Sequence, residues 1–335
     1  MAYLPDDDFH IKQKVVMYHR ACNDGIAAAW AAYSYLGEDA EYIAWQYGDK
    51  IPNLVGKEVY LVDLSFTVEQ IKEVIGDVKF IMIIDHHKSA IDALAWKYPT
   101  CSNISELPDT ARRHEERRVF VYMDIEMSGA VLAWRFFNDQ NMGEATEVYA
   151  MPEVLRYIQD YDLWRHKIDN AKPLNSWLIN GPLTIQRFDS ITGFNGKVRS
   201  DIIEMGRMLM GYDEKIIRSV IKPYPQIVNV LGTKVPFVNA PHHLRNEIGD
   251  QLGKKYPFVV LYTERNGKTI YSLRSADPDV DVSVLAKMHG GGGHKAAAAF
   301  AMDHGWLEIY KHARVFGKPA LKSRIKAAWN ILRGK

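Results

Sequence analysis

The chain has 335 residues, 47% hydrophobic and 25% charged, a globular composition with enough length to bury a core in each of two domains. Lys plus Arg number 42 and Asp plus Glu 41, a formal net charge of +1, which excludes attachment to nucleic acid by bulk charge but not a local basic groove. Only two cysteines occur, Cys22 and Cys101, which excludes a disulfide scaffold and points to a reduced, cytoplasmic setting. Three aspartates in the first ten residues are wrong for a signal peptide, and the alanine-rich stretch Gly25–Leu36 is too short to span a bilayer, so no membrane partner is expected.

In chain order, Lys14–Tyr18 is an apolar strand run ending in His19, and a helical pattern follows over Gly25–Tyr33. Ala40–Trp45 predicts a strand, and Val59–Val62 a buried strand ending in Asp63. Thr67–Ile75 predicts a helix with Gly76 as its stop. Phe80–Ile84 is a further buried strand ending in Asp85-His86-His87, and Ser128–Asn138 and Glu153–Trp164 read as helices. Buried strands alternating with helices predict an α/β fold, a parallel sheet with helices on both faces. Asn, Gly and Pro interrupt the periodicity between Asp169 and Lys222, where a boundary is expected. Beyond it Gln226–Leu231, Val235–Asn239, Phe258–Tyr262 and Thr269–Arg274 predict strands, with Asn266-Gly267 as a hairpin turn. The expected organisation is a first α/β domain over 1–190, a linker over 191–225, a smaller α/β domain over 226–316 and a basic helix over 317–335.

The chemistry gathers where the strands end. Parallel strands present their carboxyl ends on one sheet edge, where ligands bind near the switch in strand order. His19, Asp24, Asp63, Asp85, His86 and His87 are therefore expected to converge. Any one of them alone is an ordinary cap or surface residue; three strand ends carrying them together are not. Imidazoles with carboxylates suit Mn²⁺, Zn²⁺ or Fe²⁺ better than Ca²⁺, and there are enough of them for two ions. A second cluster is Gly290–Gly293 with His294 and Lys295, running into Ala296–Ala299. Glycine loops ahead of a helix present N–H groups to phosphate; the alternative, a flexible linker, is usually rich in serine. Arg112, Arg113, Arg117 and Arg118 around His114 read as a solvated face, and His242-His243 as an interface pair.

Asp85-His86-His87 and Gly291-Gly292-Gly293-His294 with the alanines after it resemble the two signatures of the DHH phosphoesterase superfamily with a DHHA1 C-terminal domain, in order, over about residues 14–310. The resemblance implies a cytoplasmic, metal-dependent phosphodiesterase cleaving short oligonucleotides to 5′-mononucleotides, with dinucleotide-signal hydrolysis or non-hydrolytic nucleotide binding as alternatives. It implies two Mn²⁺ ions, with Mg²⁺, Co²⁺ or Fe²⁺ as substitutes, and a short oligonucleotide or dinucleotide as the partner; a homodimer is compatible with it. By the same resemblance His19, Asp24, Asp63 and His86 match metal ligands, with Asp85 orienting a ligand and His87 facing the phosphate. Asp160 is favoured over Asp162 as the remaining metal ligand. Arg274 with Gly291, Gly292, Gly293 and His294 would hold substrate. The chain departs from the family pattern at Cys22, which stands where the first motif has an aspartate.

Overall fold

The computed structural model describes residues 12–20, 22–106, 118–138, 151–193, 195–222, 225–265 and 267–303. The cluster Arg112, Arg113, His114 and Arg117 and the basic stretch 317–335 lie outside the described residues. The chain divides into two units, Met1–His86 with Ile91–Gly206, and His87–Ala90 with Arg207–Lys335.

The first unit is built on a parallel sheet of β1 (Lys14–His19), β2 (Ala40–Trp45), β3 (Glu58–Val62), β4 (Phe80–Asp85), β5 (Thr100–Cys101) and β6 (Val119–Met123). The strand order is β2-β1-β3-β4-β6-β5, and each neighbouring pair is parallel. Val15–Met17 and Ile81–Ile84 are buried without a break, as a sheet covered on both faces requires. Strand β6 escapes the sequence reading, because its five-residue apolar run follows directly on an arginine-rich stretch. The chain leaves β1 for β2 on one side and returns to β3 on the other, so the switch point lies between β1 and β3.

Helix α1 (Asn23–Leu36) follows β1 and is buried from Asp24 to Ala32. Its run of alanines gives a slim cylinder that is apolar all round, which suits a helix enclosed by other elements. The Trp30 ring stacks on Trp134 at 5.6 Å and 7°, and its indole N–H donates to Asp189 Oδ1 at 2.8 Å. Helix α2 (Val68–Val74) opens on a reciprocal cap: the Thr67 hydroxyl accepts from Gln70 N–H, and the Gln70 side chain accepts from Thr67 N–H. Helices α3 (Lys88–Leu94), α4 (Gly129–Asn138) and α5 (Glu153–Asp162) follow.

The stretch with interrupted periodicity is itself helical: α6 (Ala171–Ile179), α7 (Ile185–Asp189) and α8 (Gly196–Ile221). Pro173 falls in the first turn of α6, where a missing N–H does no harm, and Gly181-Pro182 falls between helices. Gly206, within α8, is there for close approach: a Cβ on it would lie 2.0 Å from Pro173 O. The change of unit, between Gly206 and Arg207, falls inside this helix.

The second unit holds β7 (Gln226–Val230), β8 (Thr233–Asn239), α9 (Arg245–Gly253), β9 (Val259–Arg265), β10 (Lys268–Arg274), α10 (Val282–Lys287), β11 (Gly292–Gly293) and β12 (Ala297–Met302). Its sheet runs β11-β12-β10-β9-β8-β7, with β8 and β9 parallel and the other pairs antiparallel. The alanines after the glycine loop form a strand, not the helix that a phosphate loop precedes. Ala298 and Phe300 enter the core of this unit, and pairing along β10 overrides the helical preference of alanine. Among the described residues no helix is long and apolar enough to cross a membrane.

Candidate metal centre

The ends of β1, β3 and β4 bring one set of side chains to the sheet edge at the switch point. Gly25 lets α1 start immediately beyond β1, since a Cβ there would lie 2.2 Å from His19 O. Asp24 then falls in the first turn of α1, where the helix dipole favours a carboxylate. Its Oδ1 accepts from Ala130 N–H, in the first turn of α4, at 3.2 Å. Asp63 follows β3 with φ +56°, a left-handed conformation that aspartate tolerates better than most residues. Its own N–H donates to Ile84 O at 2.9 Å, so the turn is tied to β4. Asp85 ends β4 fully buried; its Oδ1 accepts from His86 N–H at 2.7 Å and its Oδ2 from the Ser65 hydroxyl at 2.6 Å.

His86 Nε2 stands 3.2 Å from Asp63 Oδ1, 3.7 Å from Asp24 Oδ2 and 3.6 Å from Asp162 Oδ2. The other Asp63 oxygen is 3.6 Å from His19 Nδ1. Among the described residues, the groups that could hold a cation include His19 with Cys22 and Asp63, and Asp24 with His86 and Asp162. Asp63 joins them, one oxygen toward each histidine.

The electrostatics fit a cation. Burial, then the charges of Asp162 and Asp63, push the Asp24 carboxyl well above the usual carboxylate range, while His86 and the Ser128 hydroxyl work against that rise. Asp24 Oδ2 is buried and accepts no hydrogen bond among the described residues. Burial alone would lower His86, but the Asp63 hydrogen bond and the charges of Asp162, Asp63 and Asp24 push its pKa up to about 10. Carboxylates crowded around one imidazole, in a set of hard oxygen and imidazole nitrogen donors, are what a divalent ion of the Mn²⁺ or Fe²⁺ kind relieves.

Asp160 is turned elsewhere. Its Oδ1 accepts from Lys167 N–H at 2.9 Å and its Oδ2 from Ile168 N–H at 3.2 Å, so this buried carboxylate ties down the turn after α5. Asp162, two residues on, faces His86 instead; that Asp160 ends an apolar helical stretch does not tell which carboxylate the end of the helix turns inward. Cys22 takes the N-cap position of α1, and burial followed by the charges of Asp63, Asp162 and Asp24 raises its thiol well above the usual range.

In the second unit the His87 ring stacks on His294 at 5.0 Å, and the Ser89 hydroxyl accepts from Gly293 N–H at 3.0 Å. Gly291 and Gly293 meet their own sheet: added Cβ atoms would lie 2.1 Å from Ala299 O and 2.5 Å from Ala297 O. Gly292 borders Ser89, whose Oγ would be 3.0 Å from a Cβ. Arg274 Nε and Nη2 both donate to Asn246 Oδ1, at 2.9 and 2.7 Å, and its stem crosses Gly249. Of the His242-His243 pair, His243 Nε2 lies 3.6 Å from Asp213 Oδ1 within the same unit.

Two contributors had no place in the sequence reading. Gly129 allows α4 to reach the cluster: a Cβ on it would lie 2.5 Å from Asp63 Cβ and 2.9 Å from Asp24 Oδ2. The small-residue triplet Ser128-Gly129-Ala130 at a helix start was the signal for it. The other is Tyr47, whose hydroxyl accepts from Ser65 N–H at 3.3 Å. Burial of that hydroxyl, then the Asp85 charge, raises its pKa.

Residues 239–311 match the profile of the DHHA1 domain, which defines the class of the second unit. Asp85 ends β4 and His86-His87 follow it, ahead of that domain in the chain. An uncharacterised protein of Acanthamoeba polyphaga mimivirus is 24% identical over 316 residues, covering 86% of this chain and 67% of its own. Among solved structures, RecJ of Thermus thermophilus in complex with Mn²⁺ aligns at 13% identity and a TM-score of 0.44, over 94% of this chain and 52% of RecJ. The pGpG-specific phosphodiesterase PggH of Vibrio cholerae aligns at 11% identity and 0.42, over 95% and 100% of the two chains.

Proposed function

We propose that the protein is a metal-dependent phosphodiesterase that hydrolyses short oligonucleotides to 5′-mononucleotides. One observation carries the reading: two sets of ligand side chains, His19 with Cys22 and Asp63 and Asp24 with His86 and Asp162, sit together at the switch point of the first unit. His19, Asp24, Asp63, His86 and Asp162 are the proposed metal ligands; Asp162 takes the role expected of Asp160, whose oxygens are held by backbone N–H groups. Bound divalent ions, two Mn²⁺ in this reading, supply charge neutralisation at the phosphate and activation of a water.

The chain's own residues do the rest. Asp63 spans both ligand sets, Asp85 fixes the backbone of His86, and Ser65 fixes Asp85. His87, His294, Arg274 and the loop Gly291–Gly293 are the proposed phosphate and nucleotide contacts. The near-neutral net charge of +1 supports a short substrate, since a long strand would need an extended basic surface.

The test is incubation of the purified protein with Mn²⁺ and a panel of di- to 24-nucleotide RNAs and DNAs, cyclic dinucleotides and pyrophosphate. Release of 5′-mononucleotides from the short members is expected, with loss of activity in EDTA. Cleavage confined to cyclic dinucleotides would replace this reading by signal hydrolysis, and binding without turnover by a nucleotide-binding role.

A further inference from the structure

Strand β2 ends at Trp45, which pairs with His19, the last residue of β1. Tyr47 lies two residues further, on the same sheet edge as the metal centre. Its loop is fixed: Asp49 Oδ2 accepts from Gln46 N–H at 3.1 Å and pairs with Arg20 Nη2 at 3.0 Å. The Tyr47 ring packs edgewise on Trp45 at 5.7 Å, and Trp45 packs in the same way on Phe66 at 5.5 Å. Loop and ring are therefore held from below.

The orientation of this tyrosine is the reverse of the usual one. A surface tyrosine buries its ring and keeps its hydroxyl in water. Tyr47 is 52% exposed, yet its hydroxyl points inward and accepts from Ser65 N–H at 3.3 Å. The Ser65 hydroxyl in turn donates to Asp85 Oδ2 at 2.6 Å. The phenol thus hangs on the residue that holds Asp85. The bond from Ser65 uses the phenol as acceptor, and its own O–H finds no acceptor among the described residues. A donor held in place beside the candidate metal centre, with no acceptor among the described residues, is suited to a phosphate oxygen.

We propose that Tyr47 is a substrate-contacting residue of the metal centre, its hydroxyl donating a hydrogen bond to a non-bridging oxygen of the bound phosphate. The inference deepens the phosphodiesterase reading and rests on it for the identity of the phosphate. Tyr47→Phe removes only the hydroxyl and keeps the ring on Trp45. The variant and the wild type are compared by calorimetric binding of AMP in the presence of Mn²⁺, by turnover of an RNA dinucleotide, by metal content and by melting temperature.

Affinity for AMP is expected to fall about tenfold, the worth of a hydrogen bond to a charged group, with metal content unchanged and the melting temperature lowered only by the loss of the Ser65 N–H acceptor. Wild-type affinity and turnover in Tyr47→Phe would overturn the inference. So would a loss of activity that follows a loss of metal, because Tyr47 would then act only by supporting Asp85. If the wild type cleaves no nucleotide while AMP binding still depends on the Tyr47 hydroxyl, the phosphodiesterase reading falls and the phosphate contact stands.

Discussion

A Cβ on Gly129 would lie 2.5 Å from the Cβ of Asp63, closer than real Cβ contacts allow. The first turn of α4 therefore reaches the candidate metal centre only because position 129 carries no side chain. Gly129→Val should push Asp63 and Asp24 apart and weaken metal binding by about 10–100-fold, the usual effect of losing support behind a ligand. Titration with Mn²⁺ measures it, with far-ultraviolet circular dichroism reporting that the helices persist.

Asp63 combines two requirements, a carboxylate shared by both histidines and a left-handed backbone at φ +56°. Asp63→Asn keeps a residue that accepts this conformation and removes the charge; Asp63→Ala removes the charge and adds backbone strain of about 1 kcal/mol. Both should abolish Mn²⁺-dependent hydrolysis, and only the alanine variant should also melt earlier. Near-wild-type turnover in Asp63→Asn would contradict the shared-ligand role.

Asp160 and Asp162 are separable by two different readouts. Asp160→Ala leaves the Lys167 and Ile168 N–H groups without their acceptor, which should cost about 1–3 kcal/mol in urea unfolding with little change in metal content. Asp162→Ala should lower metal occupancy while leaving the unfolding midpoint nearly unchanged in EDTA. The reverse pattern would restore Asp160 as the ligand.

The His86 imidazole makes the metal-free protein sensitive to pH. Burial lowers its pKa, but the Asp63 hydrogen bond and the charges of Asp162, Asp63 and Asp24 raise it to about 10. The folded value exceeds the unfolded one of about 6.5, so protonation stabilises the fold. That contribution is complete below about pH 6.5 and is lost as pH rises through about 10. In EDTA the melting temperature should fall across this window. With saturating Mn²⁺ the ion takes the proton's place and the fall should be much smaller.

Cys22 should not be an essential ligand. Burial and the charges of Asp63, Asp162 and Asp24 raise its thiol well above the usual range in the metal-free protein, and His19 and Asp63 already offer an imidazole and a carboxylate beside it. Elemental analysis of wild type and Cys22→Ser should give equal metal content; loss of about one ion per chain would make Cys22 a ligand.

The strand ends were legible in the sequence because a covered parallel strand is a nearly unbroken apolar run, and its polar last residue stands out. His19, Asp63 and Asp85-His86 each follow such a run, and parallel pairing alone brings them to one edge. Asp24-Gly25 was legible from its place just beyond the strand end at His19 and from the resemblance, while the close approach that Gly25 permits was not. Position 160 against 162 was beyond the sequence, since both lie in the last turn of α5 and only the following turn claims one of them. The strand at Ala297–Met302 was hidden as well, because alanine prefers helix and only pairing with β10 decides otherwise. Gly129 and Tyr47 were decided by tertiary structure alone: one is defined by a 2.5 Å approach to a residue 66 positions away, the other by a hydroxyl turned inward to Ser65. Periodicity records which face of an element is buried; contacts between distant segments leave no periodic trace, so the chain shows where ligands gather but not what holds them in place.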